Sequence, residues 1–258
     1  MREGKRLPIM GGLYHPPGGV IRHDAVVWGF ARGASRFGVE LHPHTEVTDI
    51  LKNGDRVIGV KTDKGDIEAD VVMSATAGWS STIAKMAGLE LPIVSYPLEA
   101  CVTEPLKPFI DKTVSDANFH VYLYQTGRGE VVIGGAVNPY STYSQKSTLP
   151  TLSTLAGHAL EMFPFLQEAS ILRQWAGLCD ITPDYAPIMS DVPDMPGLVI
   201  SCGWGTWGFK AAPAGGFYMA QGIANGSMPK EIQPFSVSRF AEGKLVNERA
   251  AAPAAALQ

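Results

Sequence analysis

Hydrophobic positions along this chain alternate between a helical and a strand-like spacing. In "HDAVVWGFARGASRF", residues 23–37, Ala25, Trp28, Ala31 and Ser35 recur at helical spacing. Asp24 stands where an N-cap is expected, and Gly38 where a helix ends. The period then shortens to two. "EVTDILKNG", "DRVIGVKTDKG" and "IEADVVMSA" read as short strands, with Asn53-Gly54 and Lys64-Gly65 as the turns between them. This is the pattern of a small antiparallel meander returning to a buried strand, Val71 to Ser74. "TAGWSSTIAKMAG" follows as a turn and a short helix.

From about Leu91 strand patterns dominate, in "PIVSYPLEACVTE", "FHVYLYQTGRGEVVIGGAV" and "ILRQWAGLCDITPD", with a helix expected from about Thr151 to Met162. After Asp180 comes a buried strand, a glycine-rich turn and a helix over Ala211 to Ala224. The expected fold class is therefore α/β plus α+β, the chain leaving one domain near residue 90 and re-entering it near 181. The boundaries drawn are 1–90, 91–180, 181–228 and 229–258, the last ending in a loose tail, "ERAAAPAAALQ".

A chain of 258 residues, 45% hydrophobic and 18% charged, can bury a sizeable core. Its net charge of −4 favours neither nucleic acid nor an anionic membrane. No apolar run is long enough for a membrane span, and "MREGKRLPIMGG" lacks the apolar region of a signal peptide, so a cytoplasmic location is expected. Cys101, Cys179 and Cys202 form no CxxC pair and read as buried small hydrophobes in a reducing compartment. His42 and His44 flank Pro43 without a third ligand nearby and read as surface residues, so no metal is expected.

"SCGWGTWGFKAAPAGG", residues 201–216, contains Gly203-x-Gly205-x-x-Gly208 after the apolar run Leu198-Val199-Ile200. A nicotinamide dinucleotide fold needs a further parallel strand after the helix and an acidic residue about 20 positions on. Here the helix runs into "NGSMPKEIQPFSVSRF", a turn and polar segment, so that reading fails. The physics of a ligand loop remains. Glycines admit a flat or anionic group close to the backbone, and the following helix start offers free N–H groups and partial positive charge. Lys210 stands at that entrance, either as a solvated side chain or as half of an anion site.

These residues resemble the C-terminal flavin loop of the D-amino-acid-oxidase-like flavoproteins. Within that family the resemblance is to the beta subunits of heterotetrameric sarcosine oxidases. It extends in order and spacing through "GGVIRHDAVVWGFARGA", "ATAGWSSTIAKMAGLELPI", "FHVYLYQ", "WAGLCDITPDYAPIMS" and "PFSVSRFAEGKLVNE". It implies the C-terminal two-thirds of such a flavoprotein: an incomplete FAD-binding domain with an inserted antiparallel-sheet substrate domain. Non-covalent FAD would be held by Gly203, Trp204, Gly205, Thr206, Gly208 and Phe209, with the helix start facing the flavin N1/C2=O edge. Lys210 would bind the substrate carboxylate. Ala75, Gly78, Trp79 and Ser80 would close over the adenosine side together with Ala77, with Ser80 donating a hydrogen bond at a helix start, and the backbone of Val47 would meet the adenine.

The resemblance further implies a covalent FMN on His23, with Arg22 on its phosphate. By composition alone His23 reads as a structural or surface histidine. His120 and Tyr122 alternate along a strand, share one face, and either line the substrate cavity or pack as a rim pair. Asp180 and Asp184, around Thr182-Pro183, are expected to organise a turn rather than to transfer protons. The implied activity is oxidative demethylation of sarcosine, or a similar N-methyl amino acid, to glycine, formaldehyde or methylene-folate, and hydrogen peroxide. Electrons would pass from FAD to FMN to oxygen. The implied partners are a large alpha subunit, smaller subunits and, through the complex, tetrahydrofolate.

Two departures stand out. The family's N-terminal strand, GxGxxG and ribose carboxylate are not found in this sequence, so the chain is expected to be N-terminally truncated, with apolar strand edges exposed. Trp207 replaces an expected small residue and would alter the substrate space, stack on the flavin or turn outward. The alternatives are a dimethylglycine, proline or D-amino-acid oxidase or dehydrogenase, or a non-catalytic fragment that binds a partner subunit.

Overall fold

The computed structural model describes residues 9–116 and 118–246. The tail "ERAAAPAAALQ" lies outside them. The first elements are α1 (His23–Arg36), β1 (Val47–Asn53), β2 (Arg56–Thr62), β3 (Gly65–Glu68), β4 (Val72–Ser74) and α2 (Ser80–Ala87). Next come β5 (Val94–Pro105), β6 (Val114–Asp116), β7 (Val121–Gln125), β8 (Glu130–Val137), α3 (Leu149–Met162) and β9 (Ile171–Ile181). β10 (Ile188–Asp191), β11 (Leu198–Cys202) and α4 (Gly208–Asn225) complete the regular structure, followed by two short 3-10 turns.

The chain divides into two units. One takes Leu98–Asn138 and Gln145–Gly177 with the residues up to Val26; the other takes Val27–Pro97, Pro139–Ser144 and the residues from Leu178 onward. The first unit is built on a sheet of order β6-β7-β8-β5-β9. Its core joins Cys101, Val121, Leu123, Val131 and Ile133 to Leu155 and Ala159 of α3. Thr148 caps α3 by accepting from the Thr151 N–H, and Pro150 sits in the first turn, where its missing donor costs nothing. Strand β6 escapes the sequence pattern because three residues show no period.

The second unit holds two three-stranded sheets. The meander β1-β2-β3 is antiparallel throughout. The other sheet has the order β10-β11-β4, with β11 parallel to β4 and antiparallel to β10. The two are tied where the Val57 N–H of β2 donates to Pro196 O, just before β11, at 2.9 Å. Every residue of β11 is buried. Its side chains join Ile50, Val57, Ala87 and Ile188 on one side and Met189, Met219 and Ile232 on the other. Strand β10 was hidden in the sequence behind the Pro-rich turn that precedes it.

Three expectations need correction. The Val71–Ser74 strand is not buried: only Ser74 is, while Val71 and Met73 are 39% and 37% exposed because β4 ends its sheet. Helix α1 begins at His23, so Asp24 lies in its first turn, bonded to Arg22, instead of capping it. Helix α4 begins at Gly208, three residues before the expected start, because the loop glycines let the chain turn at once into the helix. The apolar residues of α1 are also bare: no residue of the helix is buried, and Trp28 is 67% exposed. Among the described residues no helix is long and apolar enough to cross a membrane.

Candidate functional site

The loop between β11 and α4 belongs to the second unit. Gly203 has φ +68° and Gly205 φ +53°, both in the left-handed region that a side chain disfavours. A Cβ on Gly203 would also lie 2.5 Å from Thr182 Cγ2. Buried Asp180 fixes the loop from below. Its Oδ2 accepts the Gly203 N–H at 2.5 Å, and its carbonyl accepts the Gly205 N–H at 3.0 Å. Burial raises the Asp180 carboxyl above its ordinary value, and these amides oppose the rise without cancelling it. The residue therefore holds the loop, in keeping with its expected role as a turn organiser.

Within the loop the side chains divide. The Trp204 indole turns into the core. A Cβ placed on Gly215 would come within 2.9 Å of it, one on Gly208 within 2.9 Å of Trp204 Cβ, and the indole Nε1 donates to Ser201 Oγ at 3.2 Å. Whatever Trp204 offers a ligand is therefore backbone. Thr206 and Phe209 are exposed, and Trp207 is half-buried. The first turn of α4 contains no acidic residue, and no side chain caps it. The amides of Gly208, Phe209 and Lys210 precede the first intrahelical donor of the helix, Ala211, whose N–H reaches Trp207 O at 3.3 Å, and so have no i−4 carbonyl of the helix to bond. Exposed Lys210 carries its Nζ 4.5 Å from the centroid of the Trp207 ring, a contact no sequence pattern announces.

The "ATAGWSS" segment joins β4 to α2 in the same unit. Ala77 has φ +45°, a strained backbone for a residue with a Cβ. Its polar groups are consumed internally. Ser80 Oγ donates to Ala77 O at 2.6 Å, and Ser95 Oγ donates to Gly78 O at 2.7 Å. A Cβ on Gly78 would meet Leu178 Cβ at 2.4 Å, so this glycine admits Leu178. Trp79 is 43% exposed and stacks on Tyr143, ring centroids 5.1 Å apart. Ala75 stays exposed beside this turn, and Val47 opens β1 half-buried against the core.

His23 is exposed at the start of α1. The Arg22 guanidinium donates to the Asp24 carboxylate at 2.6 Å and holds it below the usual carboxylate range. Exposed His42 lies 3.3 Å from Glu40, and exposed His44 sits in a turn with φ +55°.

In the first unit, His120 and Tyr122 do not share a strand face. His120 is a turn residue with φ +49°, and β7 starts one position later. Asp116 Oδ1 closes that turn by accepting the N–H groups of Asn118 at 2.7 Å and Phe119 at 2.9 Å. Alternation fails there because His120 lies in the turn between β6 and β7, not on the strand. Tyr122 is on β7, its ring across Gly134 of β8, where a Cβ would come within 2.5 Å of it. Burial raises the Tyr122 hydroxyl above its ordinary value, with Tyr124 and Cys101 adding to the effect.

Sequence reasoning missed one buried pair. Arg239, 3% exposed, donates to Asp184 through Nε at 2.8 Å and Nη2 at 2.9 Å, and Nη2 also reaches Ala186 O at 2.9 Å. The pair clamps the Thr182–Ala186 turn. An arginine in the polar run "SVSRF" carries no sign of its partner 55 residues away.

A fold of two sheet-based units, one with a buried strand turning through left-handed glycines into an uncapped helix, defines a class that comparison identifies. The family model described as FAD dependent oxidoreductase matches residues 1–222, and the chain belongs to that family. It is similar to sarcosine oxidase subunit beta of Arthrobacter sp, 42% identical over 97% of this chain and 62% of that protein. To the subunit of the same name from Rhodobacter capsulatus it is 43% identical, over 96% of this chain and 60% of that one. Among solved structures, L-proline dehydrogenase from P. horikoshii matches with a TM-score of 0.78 at 31% identity, covering 86% of this chain and 60% of that chain. The chain thus spans about three-fifths of the length of these relatives.

Proposed function

We propose that this chain is the flavin-binding and substrate-binding part of an amine oxidase acting on sarcosine or a similar N-methyl amino acid. The observation that carries the reading is the β11–α4 turn: two left-handed glycines, an uncapped helix start and the Lys210 ammonium beside it. Those donors fit the electron-rich edge of a flavin, and Lys210 fits the carboxylate of an amino acid. A flavin held there would supply hydride acceptance from the carbon attached to the amine, and water would hydrolyse the resulting imine of sarcosine to glycine and formaldehyde.

The residues of the chain have distinct parts in this. The N–H groups of Gly208, Phe209 and Lys210 stabilise negative charge at the helix start without reorganising. Asp180 keeps the loop in shape, and Lys210 orients the substrate by its carboxylate. The adenosine side of FAD would meet Ala75, Ala77 and Trp79; the Ser80 hydroxyl and the space beside Gly78 are taken by the protein's own groups. His23 is open to solvent and fits attachment of a second flavin, FMN; Arg22 bonds Asp24 through Nε and Nη2, and its Nη1 would serve the phosphate. The relatives' designation as subunit beta supports an alpha-subunit partner. Tetrahydrofolate would enter through that complex.

The test is to co-express the chain with a sarcosine oxidase alpha subunit, denature with acid, and map bound yellow colour to peptides. The expected result is released FAD, acid-stable flavin on the peptide containing His23, and sarcosine-dependent peroxide. A complex with released FAD and no attached flavin removes the FMN assignment. A complex without any flavin removes the reading as a whole.

A further inference from the structure

We infer that Trp207 is a positioning residue: its indole face holds the Lys210 ammonium in place to receive the substrate carboxylate. This rests on the reading of Lys210 as the carboxylate receptor.

Lys210 Nζ lies 4.5 Å from the centroid of the Trp207 ring, within range of attraction to the negative face of an indole. The two are three residues apart across the start of α4, the spacing that puts side chains over one another on a helix. The contact has work to do here. A lysine at the positive end of a helix is repelled by the helix dipole. No acidic residue stands in the first turn, and none of the ion pairs among the described residues involves Lys210. What opposes the repulsion is the ring.

A free lysine also samples many rotamers, and binding must freeze them. A lysine already resting on a ring loses less. The indole occupies one side of the ammonium and leaves N–H donors on the other for a carboxylate. Trp207 is itself half-buried, and its backbone N–H donates to Trp204 O at 3.0 Å, so the backbone that carries the ring is tied to the loop. Trp204 lies against α4 below it. The bulky residue at position 207 therefore acts with the lysine.

The test uses the full chain, wild type and with Trp207→Phe, Trp207→Leu and Lys210→Met. Lysines labelled with 13C at Cε are observed by NMR, the Lys210 signal being assigned by its loss in Lys210→Met. In wild type its methylene protons are expected upfield of the other lysines through the indole ring current. The shift is expected to vanish in Trp207→Leu and to persist in reduced form in Trp207→Phe. With the chain assembled with its flavin and partner, KM for sarcosine is expected to rise about 3- to 10-fold in Trp207→Leu, with kcat within about twofold and Trp207→Phe near wild type.

A wild-type Lys210 signal among those of the solvated lysines overturns the inference, and that outcome needs no variant to fold. So does a Trp207→Leu enzyme with unchanged KM, or one that loses kcat alone. An unchanged KM in Lys210→Met shows instead that the carboxylate reading has failed, and the inference falls with it.

Discussion

The Asp180 carboxylate accepts the amide of Gly203 at 2.5 Å, across 23 residues, and so sets the floor of the loop that precedes α4. Asp180→Ala leaves the buried Gly203 N–H without its acceptor. A loss of about 1–3 kcal/mol is expected in urea unfolding. Asp180→Asn keeps an acceptor and should lose less. Because burial raises this carboxyl in the folded chain, its contribution to stability is fully present below the unfolded value and is lost as pH rises through the folded one. The Asn variant should lack that decline.

Asp184 behaves with the opposite sign. Burial pushes its carboxyl up, but the hydrogen bonds from Arg239 and the Val246 amide outweigh that and hold it below its ordinary value. Its contribution is present above the unfolded value and is lost as pH falls through the folded one. Arg239→Ala strands a buried carboxylate, and about 3–5 kcal/mol of destabilisation is expected at neutral pH. Acid titration followed by circular dichroism should show less acid-induced loss in Asp184→Asn than in wild type.

Gly78→Ala places a Cβ about where Leu178 Cβ already stands, at 2.4 Å. Overpacking of this kind costs about 1–3 kcal/mol. The double variant Gly78→Ala with Leu178→Ala should lose less than the sum of its parts, and a double-mutant cycle in thermal unfolding measures the difference. If the losses simply add, the contact does not govern the position.

The three thiols should be inert in the folded chain. Burial pushes Cys101 up to about 11 and Cys179 and Cys202 up to about 12, the charge on Asp180 adding to the last two. Ellman's reagent at neutral pH is expected to label none of them without denaturant and all three with it. Rapid labelling of the native chain would contradict the burial.

Local rules made much of this protein legible. The turns Asn53-Gly54 and Lys64-Gly65 join the strands of the meander, and the 3.6-residue spacing of 23–37 is a helix, because backbone preference and nearest neighbours decide such elements. The glycines at 203, 205 and 208, with Lys210 after them, marked the loop from composition and order alone, and the polar segment after the helix removed the nicotinamide reading; among the described residues no strand follows α4. Tertiary structure decided what depends on residues far apart in the chain. It put Leu178 in the space beside Gly78, turned Trp204 inward, joined Arg239 to Asp184 and placed His120 in the β6–β7 turn, not on β7. Those outcomes follow from packing volume and from the need of buried charges and amides for partners, and neither leaves a period or a motif along the sequence.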